Sequence, residues 1–377
     1  MRDRYLLSVI AAIVGAPTLA GGAEVLNRVP PSAADRLVVL ARRHGVETWL
    51  AACAPPEFEL LRRQRPLFLA AQARTAAVLA TLGDELKRQD CPWMVLKGPA
   101  LGYSVYPRPD LRQGVDLDVL VPPLRFGDAL VALESAGFTL LDWNWPLFAA
   151  RLPGALRLRA PQGVLVDLHW AVLDAPALRG PFRLPVAELL QRARWLEPPG
   201  FCALSAVDQL VHLGVHGALS GANRLVWLLD AHLAAGQVAD WDEIVTSAHR
   251  AGAGRSLALV LARARRLWRT PVPPAVLRAL GAGPLWRALD RMLTPSDAVP
   301  VDPGRAAPSR AWARATRATR RTTIAGFAQH GGAWVRSGRP RVWQAISFDE
   351  SDPGSPVHRA DDPDARRRYL AAVADAE

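Results

Sequence analysis

One stretch of the chain constrains the fold more than any other: an apolar run that carries two acidic residues. The run is Gly114-Val115-Asp116-Leu117-Asp118-Val119-Leu120-Val121, and its alternation and β-branched residues predict a buried strand. Residues two apart on a strand face the same way, so Asp116 and Asp118 should share one face. The other face should pack against the core through Val115, Leu117 and Val119. Because adjacent carboxylates repel each other, the pair predicts a site for a divalent cation with oxygen ligands.

A second apolar run carries another acid. Asp167 lies within Val164-Leu165-Val166-Asp167-Leu168-His169-Trp170, which follows the turn Pro161-Gln162-Gly163 and the run Leu156–Arg159. This pattern predicts a hairpin, and from a neighbouring strand Asp167 could complete a three-carboxylate cluster. His169 shares its face, and a hydrogen-bonding role is favoured over metal ligation because no other His or Cys is near in sequence. The alternative is that all three acids are merely exposed.

The pattern along the chain indicates an α+β fold, with a small mixed sheet flanked by helices and followed by a helical domain. We expect an N-terminal helical segment (1–90) in which Pro66 interrupts a helix, and then a sheet-containing core (91–183). A wholly helical domain (184–295) and a basic C-terminal extension (296–377) should follow. In the core, Trp93 to Leu96 predicts a strand and Gly98 the start of a short helix.

Several motifs recur in a particular order between about residues 35 and 275. They are Leu96-Lys97-Gly98-Pro99-Ala100-Leu101, Tyr106-Pro107, Arg112, Asp116-x-Asp118, Asp167-Leu168-His169-Trp170, Ser205 to His216, Arg224 to Asp230, and Asp240-Trp241. In this order and spacing the chain resembles the uncharacterised nucleotidyltransferase family of the DNA polymerase beta-like superfamily.

The resemblance implies an Mg²⁺-dependent enzyme with a nucleotidyltransferase core. It would transfer a nucleoside monophosphate from a nucleoside triphosphate to a hydroxyl or phosphate of an acceptor. The expected triphosphate is ATP, and the acceptor is an unknown small molecule, peptide or glycan. Asp116 and Asp118 would bridge two metals about 3.5–4 Å apart. Asp167 would bind the acceptor-side metal and take the acceptor's proton.

The same resemblance places Lys97 and Gly98 at the turn that meets the triphosphate. The chain departs from the usual pattern there, because Pro99 offers neither a hydroxyl nor an N–H. Lys97 could compensate, or it could be a plain salt-bridging lysine. Arg112 is a further candidate phosphate ligand, with an exposed loop arginine as the alternative.

Two histidines four residues apart, His212 and His216, fall on one face of a predicted helix. They could line the acceptor side of the cleft, or they could be core histidines bonded to Asp208 or Asp230.

The N-terminus from Met1 to Ala16 imitates a signal peptide, but a buried helix is the favoured interpretation, because a nucleotide-using enzyme needs cytosolic triphosphate. No run is expected to be long and apolar enough for stable membrane insertion. Three scattered cysteines without metal-ligand spacing suit a reducing compartment. A cytoplasmic protein is therefore expected.

The C-terminal segment carries most of the positive charge. Between Asp302 and Phe348, nine arginines face one aspartate, which accounts for eight of the eleven net charges. Arg310, Arg314, Arg317 and Arg321 have helical spacing and would form a basic stripe. The stripe suits RNA, an acidic peptide or a membrane surface, unless it is simply a solvated face. It leaves an RNA-modifying enzyme open as an alternative, while Pro99 leaves open a nucleotide- or partner-binding module without catalysis.

Overall fold

The computed structural model describes residues 3–112, 114–294, 299–304, 307–316 and 349–376. These residues form a seven-stranded mixed sheet with many helices, which confirms the predicted α+β class.

The helices are α1 (Asp3–Val14), α2 (Leu19–Leu26), α3 (Ala34–His44), α4 (Glu47–Cys53), α5 (Glu59–Arg88), α6 (Pro99–Ser104), α7 (Phe126–Ser135), α8 (Trp145–Arg151), α9 (Pro176–Arg179), α10 (Val186–Gln191), α11 (Ala206–Ser220), α12 (Leu225–Ala235), α13 (Trp241–Arg250), α14 (Gly254–Trp268), α15 (Pro274–Ala279), α16 (Pro284–Leu293), α17 (Ala307–Ala315) and α18 (Pro363–Ala374). The strands are β1 (Met94–Val95), β2 (Asp116–Leu120), β3 (Thr139–Leu140), β4 (Ala155–Arg159), β5 (Leu165–His169), β6 (Arg194–Leu196) and β7 (Phe201–Ala203).

The sheet has the order β3-β4-β5-β2-β1-β7-β6. Strand β2 lies parallel to β5, and β1 lies parallel to β7, while the other neighbours are antiparallel. The predicted hairpin is confirmed as β4 and β5. Strand β2 therefore has the predicted hairpin strand as its direct neighbour.

The two faces of β2 differ as the alternation predicts. Leu117 and Val119 are fully buried on one face, in the main core of the sheet. Leu120 packs on the opposite face, in a smaller apolar cluster with Met94 and Leu96. Asp116 and Asp118 belong to this second face, because side chains alternate along a strand. The prediction for Val115 was wrong: it precedes the strand and is 89% exposed.

Two further sequence predictions need correction. The region from Leu184 to Leu293 is not wholly helical, because β6 and β7 form a hairpin there. The signal Pro198-Pro199-Gly200 marks the turn of that hairpin, and β7 also pairs with β1, a partner about a hundred residues away that local sequence does not reveal.

Pro66 does not interrupt its helix, since α5 runs continuously through it. A proline removes one hydrogen bond there, and the remaining turns keep the helix together.

The chain divides into two compact units, each built from separate stretches of sequence. The first unit contains the described residues of 3–71, 105–112 and 206–316. The second unit contains those of 72–104, 114–205 and 349–376. The division falls within α5, so the expected boundaries of 1–90, 91–183, 184–295 and 296–377 stay a prediction.

The first unit buries the N-terminal helix that the sequence favoured. Leu6, Ile10 and Ile13 of α1 are at most 1% exposed. The indole N–H of Trp268 donates to the Ala11 carbonyl oxygen at 2.8 Å. The prediction of a buried helix at this position is confirmed.

The second unit is completed by α18. Ala365, Tyr369 and Val373 follow one another at four-residue spacing and lie fully buried in the main core of the sheet. The Tyr369 hydroxyl accepts a hydrogen bond from the Trp170 indole at 3.0 Å. Helix α18 therefore packs into the core of the sheet and is not an appendage.

Among the described residues, α5 alone is long and apolar enough to cross a membrane by length and composition, and 17% of its most apolar window is buried. The expectation that no segment meets this criterion was wrong. A single such helix carries little weight, since helices of soluble proteins pass the same test.

A close helix contact in the first unit provides a test of the packing. A Cβ added at Gly214 of α11 would lie 2.7 Å from the Leu257 Cα of α14. Gly214→Ala should therefore lower the free energy of unfolding by about 1–3 kcal/mol. The matched control is Gly127→Ala in α7, where the added methyl group meets nothing within 4 Å and should stabilise the protein by about 0.4–1 kcal/mol. Urea unfolding measures both changes, and equal effects would contradict the packing.

Candidate active site

Parallel pairing of β2 and β5 brings two of the predicted acids together. Asp118 and Asp167 are direct partners in the register, so their side chains leave the sheet on the same face. One ligand atom from each, together with one from His169, lies within 4.8 Å of the others. We call these three residues the acidic cluster.

His169 links Asp118 to the backbone beyond β5. Its Nε2 lies 3.2 Å from the Asp118 Oδ1, and its Nδ1 lies 3.3 Å from the Ala171 carbonyl oxygen. Both partners are acceptors, so a ring that donates to both carries a proton on each nitrogen. Burial lowers the pKa of His169, but the hydrogen bond and the charge of Asp118 outweigh it and raise the pKa above its ordinary value.

Lys97 approaches the same carboxylate from the end of β1. Its Nζ lies 2.8 Å from the Asp118 Oδ2 and 3.8 Å from the Asp116 Oδ1. Burial works to raise the pKa of Asp118, yet the hydrogen bond from His169 and the charge of Lys97 hold that pKa well below its usual range. Lys97 therefore forms a salt bridge, as one of the two interpretations of the sequence expected. Its contact with phosphate, which the other interpretation expected, stays a prediction.

Asp116 lies at the edge of the site. It is the first residue of β2, its side chain is 36% exposed, and it is outside the acidic cluster.

Gly98 adopts the left-handed conformation, with φ of +62°, where β1 leads into α6. A residue with a side chain would be strained there, which explains why glycine occupies the turn. The predicted phosphate contact of Gly98 is untested.

Asp167 has the electrostatics of a group that exchanges a proton near neutral pH. Burial raises its pKa to about 6, and the negative charges of Asp118 and Asp116 add to the effect against the opposing charge of His169. The neighbouring strand β4 places Arg157 opposite Asp167. Arg157 forms an ion pair with Asp142, with 2.7 Å between Nη2 and Oδ1. The alternation of β4 was the only sequence signal for Arg157.

Arg112 is held by a carboxylate that the sequence did not pair with it. Its Nε and Nη2 donate to the two oxygens of Asp230 at 2.7 and 2.9 Å, and the Tyr106 hydroxyl donates to the same carboxylate at 2.6 Å. All three residues belong to the first unit. The acidic cluster belongs to the second, and a phosphate contact for Arg112 stays a prediction. Tyr106, Arg112 and Asp230 had all been singled out as motif residues, but their mutual contact had no sequence signal.

The predicted histidine pair forms part of the first unit. The rings of His212 and His216 lie 6.0 Å apart, and His216 meets the Trp227 ring edge-on at 6.3 Å. His212 is 5% exposed, which suits the core alternative.

Half of the basic stripe lies outside the described residues, which include Arg310 and Arg314 but not Arg317 or Arg321. The Arg314 Nε donates to the Leu219 carbonyl oxygen at 3.0 Å. Part of the predicted stripe therefore packs on its own unit.

The donor set of the acidic cluster fits a divalent cation. Two carboxylates offer hard oxygen ligands and His169 offers a nitrogen. Oxygen ligands suit Mg²⁺ and Mn²⁺, and imidazole suits Mn²⁺ and the later transition metals. Any such ion would compete with the protons of Asp167 and His169.

That competition predicts a pH dependence. Metal binding needs ionised carboxylates, and Asp167 with its pKa of about 6 loses most of its ionised form between pH 7 and pH 5. Mn²⁺ affinity should therefore fall at least about tenfold over this range, since protonation of Asp167 alone accounts for a tenfold loss. Calorimetry of the wild-type protein should show the fall, and Asp167→Asn should bind more weakly with a shallower slope. A pH-independent affinity would contradict the assignment.

Comparison with known proteins agrees with this geometry. Residues 30–269, more than half of the chain, match a family described as uncharacterised nucleotidyltransferase. No curated protein matches the chain. The family match indicates nucleotidyl transfer in general and a nucleoside triphosphate as substrate, and the acidic cluster indicates a divalent metal. The chain belongs to the uncharacterised nucleotidyltransferase family.

Proposed function

We propose that this protein transfers a nucleoside monophosphate from a nucleoside triphosphate, with ATP as the first candidate, to a hydroxyl or phosphate of a small molecule, peptide or glycan. The observation that carries the proposal is the pairing of Asp118 with Asp167 on adjacent parallel strands, beside His169 and Lys97. We also propose that the protein acts in the cytoplasm, where triphosphate is available.

Asp116, Asp118 and Asp167 would hold Mg²⁺. When bound, the metal supplies positive charge that neutralises the triphosphate and polarises the acceptor oxygen. Asp118 is suited to hold a cation because its carboxylate stays ionised between Lys97 and His169. Asp116 is half-buried at the start of β2, so solvent and a substrate could reach its carboxylate.

Asp167 is the proposed general base. With a pKa of about 6, it is mostly ionised at neutral pH and can still accept a proton. As the acceptor oxygen forms its bond to the α-phosphorus, its proton would pass to Asp167. The bond to the bridging oxygen breaks at the same phosphorus, and pyrophosphate leaves with the electron pair.

His169 and Lys97 would act on either side of Asp118. His169 orients one carboxylate oxygen through Nε2 and is itself held by the Ala171 carbonyl. Lys97 neutralises the other oxygen at 2.8 Å. On arrival of a metal and triphosphate, Lys97 would exchange this carboxylate for phosphate oxygens, and Gly98 would let the backbone approach them.

A second candidate is a nucleotide- or partner-binding module without catalysis. The Lys97 salt bridge favours it, because the ammonium group already neutralises the carboxylate that a metal would need. Pro99 favours it as well, since it removes an N–H from the turn. Retention of all three aspartates favours the enzyme.

The direct test is the loss of one carboxylate. Asp118→Asn should lower pyrophosphate release by at least about a hundredfold, because the metal loses an anionic ligand. Asp128→Asn is the matched control, since this helix acid is 63% exposed and pairs only at the surface with Arg125. Mass spectrometry of candidate acceptors with each triphosphate and Mg²⁺ measures product. Tight triphosphate binding with no product and no pyrophosphate would favour the binding module, and full activity of Asp118→Asn would exclude the proposed mechanism.

The basic C-terminal segment is proposed to bind a polyanion or an acidic peptide. Its affinity for single-stranded RNA should fall steeply as salt rises, because each neutralised phosphate releases counterions. Charge reversal at Arg314 and Arg317 should weaken that binding. If the affinity does not change with salt, the segment is a solvated basic face that binds no polyanion. If RNA itself is the modified product, the result would favour an RNA-modifying enzyme.

A further inference from the structure

A cavity in the first unit is lined by an unusual excess of positive charge. It lies between α14 and α16 and has a volume of about 350 Å³. Its charged and aromatic lining consists of Arg265, Arg266, Trp286, Arg287, Asp290 and Arg291. Four guanidinium groups thus meet one carboxylate.

That carboxylate is already fully engaged. The Asp290 Oδ1 accepts from the Arg263 Nε and Nη2 at 3.1 and 2.8 Å, and its Oδ2 accepts from the Arg266 Nη2 at 3.0 Å. Within the described part of the chain, no carboxylate lies within 4 Å of the Arg265, Arg287 or Arg291 guanidinium. Arg265 and Arg291 are exposed and Arg287 is half-buried, so the positive charge that no carboxylate neutralises lies at the mouth and the wall of the cavity.

The cavity residues also carry buried hydrogen-bond donors without acceptors. Among the described residues, the Nε of Arg266, the Nε of Arg287 and the Nε1 of Trp286 have no partner, and none of these atoms is exposed to solvent. A buried donor without an acceptor destabilises a protein. Burial lowers the pKa of Arg266 against the opposing charge of Asp290, and the charges of Arg263 and Arg291 add to the lowering. An anion would satisfy both the donors and the charge.

We infer that this cavity is a binding site for a small phosphate-bearing anion. Arginine forks bind phosphate oxygens through paired, charge-assisted hydrogen bonds, and four arginines around one space suit a dianion or a pyrophosphate group. The volume falls in the range of small-ligand sites. The site lies in the first unit, whereas the acidic cluster lies in the second. The inference therefore does not depend on the proposed nucleotidyl transfer.

The test is calorimetric titration of the full chain with inorganic phosphate and with pyrophosphate, at constant ionic strength and with EDTA present. EDTA removes metal-dependent binding at the acidic cluster. Arg287→Met should weaken binding by at least about tenfold, because charge-assisted hydrogen bonds are lost. Arg278→Met is the matched control, since Arg278 is an exposed arginine of neighbouring α15 that does not line the cavity.

A second measurement separates binding from folding. Without ligand, the melting temperature of Arg287→Met should equal or exceed that of the wild-type protein, because an unsatisfied buried donor has been removed. Arg287→Lys should keep part of the affinity, since it retains the charge but not the fork. The inference is overturned if the wild-type protein binds neither anion, if Arg287→Met binds as tightly as wild type, if Arg278→Met weakens binding equally, or if only long RNA binds.

Discussion

The site depends on keeping one buried carboxylate negatively charged. Asp118 is 3% exposed, and an isolated ion at such a position would take up a proton rather than remain ionised. Lys97 and His169 prevent this by approaching its two oxygens from opposite sides, one from the end of β1 and one from β5. Removing either partner would leave one buried carboxylate oxygen without its partner, and breaking a buried ion pair typically costs about 3–5 kcal/mol. Lys97 and His169 therefore contribute to the stability of the fold as well as to the chemistry of the site.

The same arrangement separates the two acids of the strand pair. Asp118 stays ionised because it accepts a hydrogen bond from His169 and pairs with the charge of Lys97, whereas the pKa of Asp167 rises to about 6 because it is buried beside other carboxylates. Two identical side chains on adjacent strands thereby acquire different tasks, one suited to holding a cation and the other to exchanging a proton. The difference comes entirely from what each carboxylate faces.

Charge is handled in the opposite way in the first unit. There, Asp290 is the single acid at a cavity with four arginines, and it is already bound by Arg263 and Arg266. The two carboxylates of the acidic cluster favour a bound cation, whereas the four arginines of this cavity favour a bound anion. A protein that handles triphosphate has use for both kinds of site, and the two can be tested separately because one needs metal and the other does not.

The strand with Asp116 and Asp118, the β4–β5 hairpin with Asp167 and the turn at Gly98 could all be predicted from the sequence, because alternation, turn residues and left-handed glycines are local signals. The family could be predicted as well, from the order of its motifs. Tertiary structure alone decided which groups meet. Register pairs Asp118 with Asp167 and leaves Asp116 at the edge, Asp230 takes Arg112, and β7 pairs with β1 across about a hundred residues of intervening chain. Such contacts join residues that are distant in sequence. Their energies depend on burial and on the partner residue, and a local sequence pattern specifies neither.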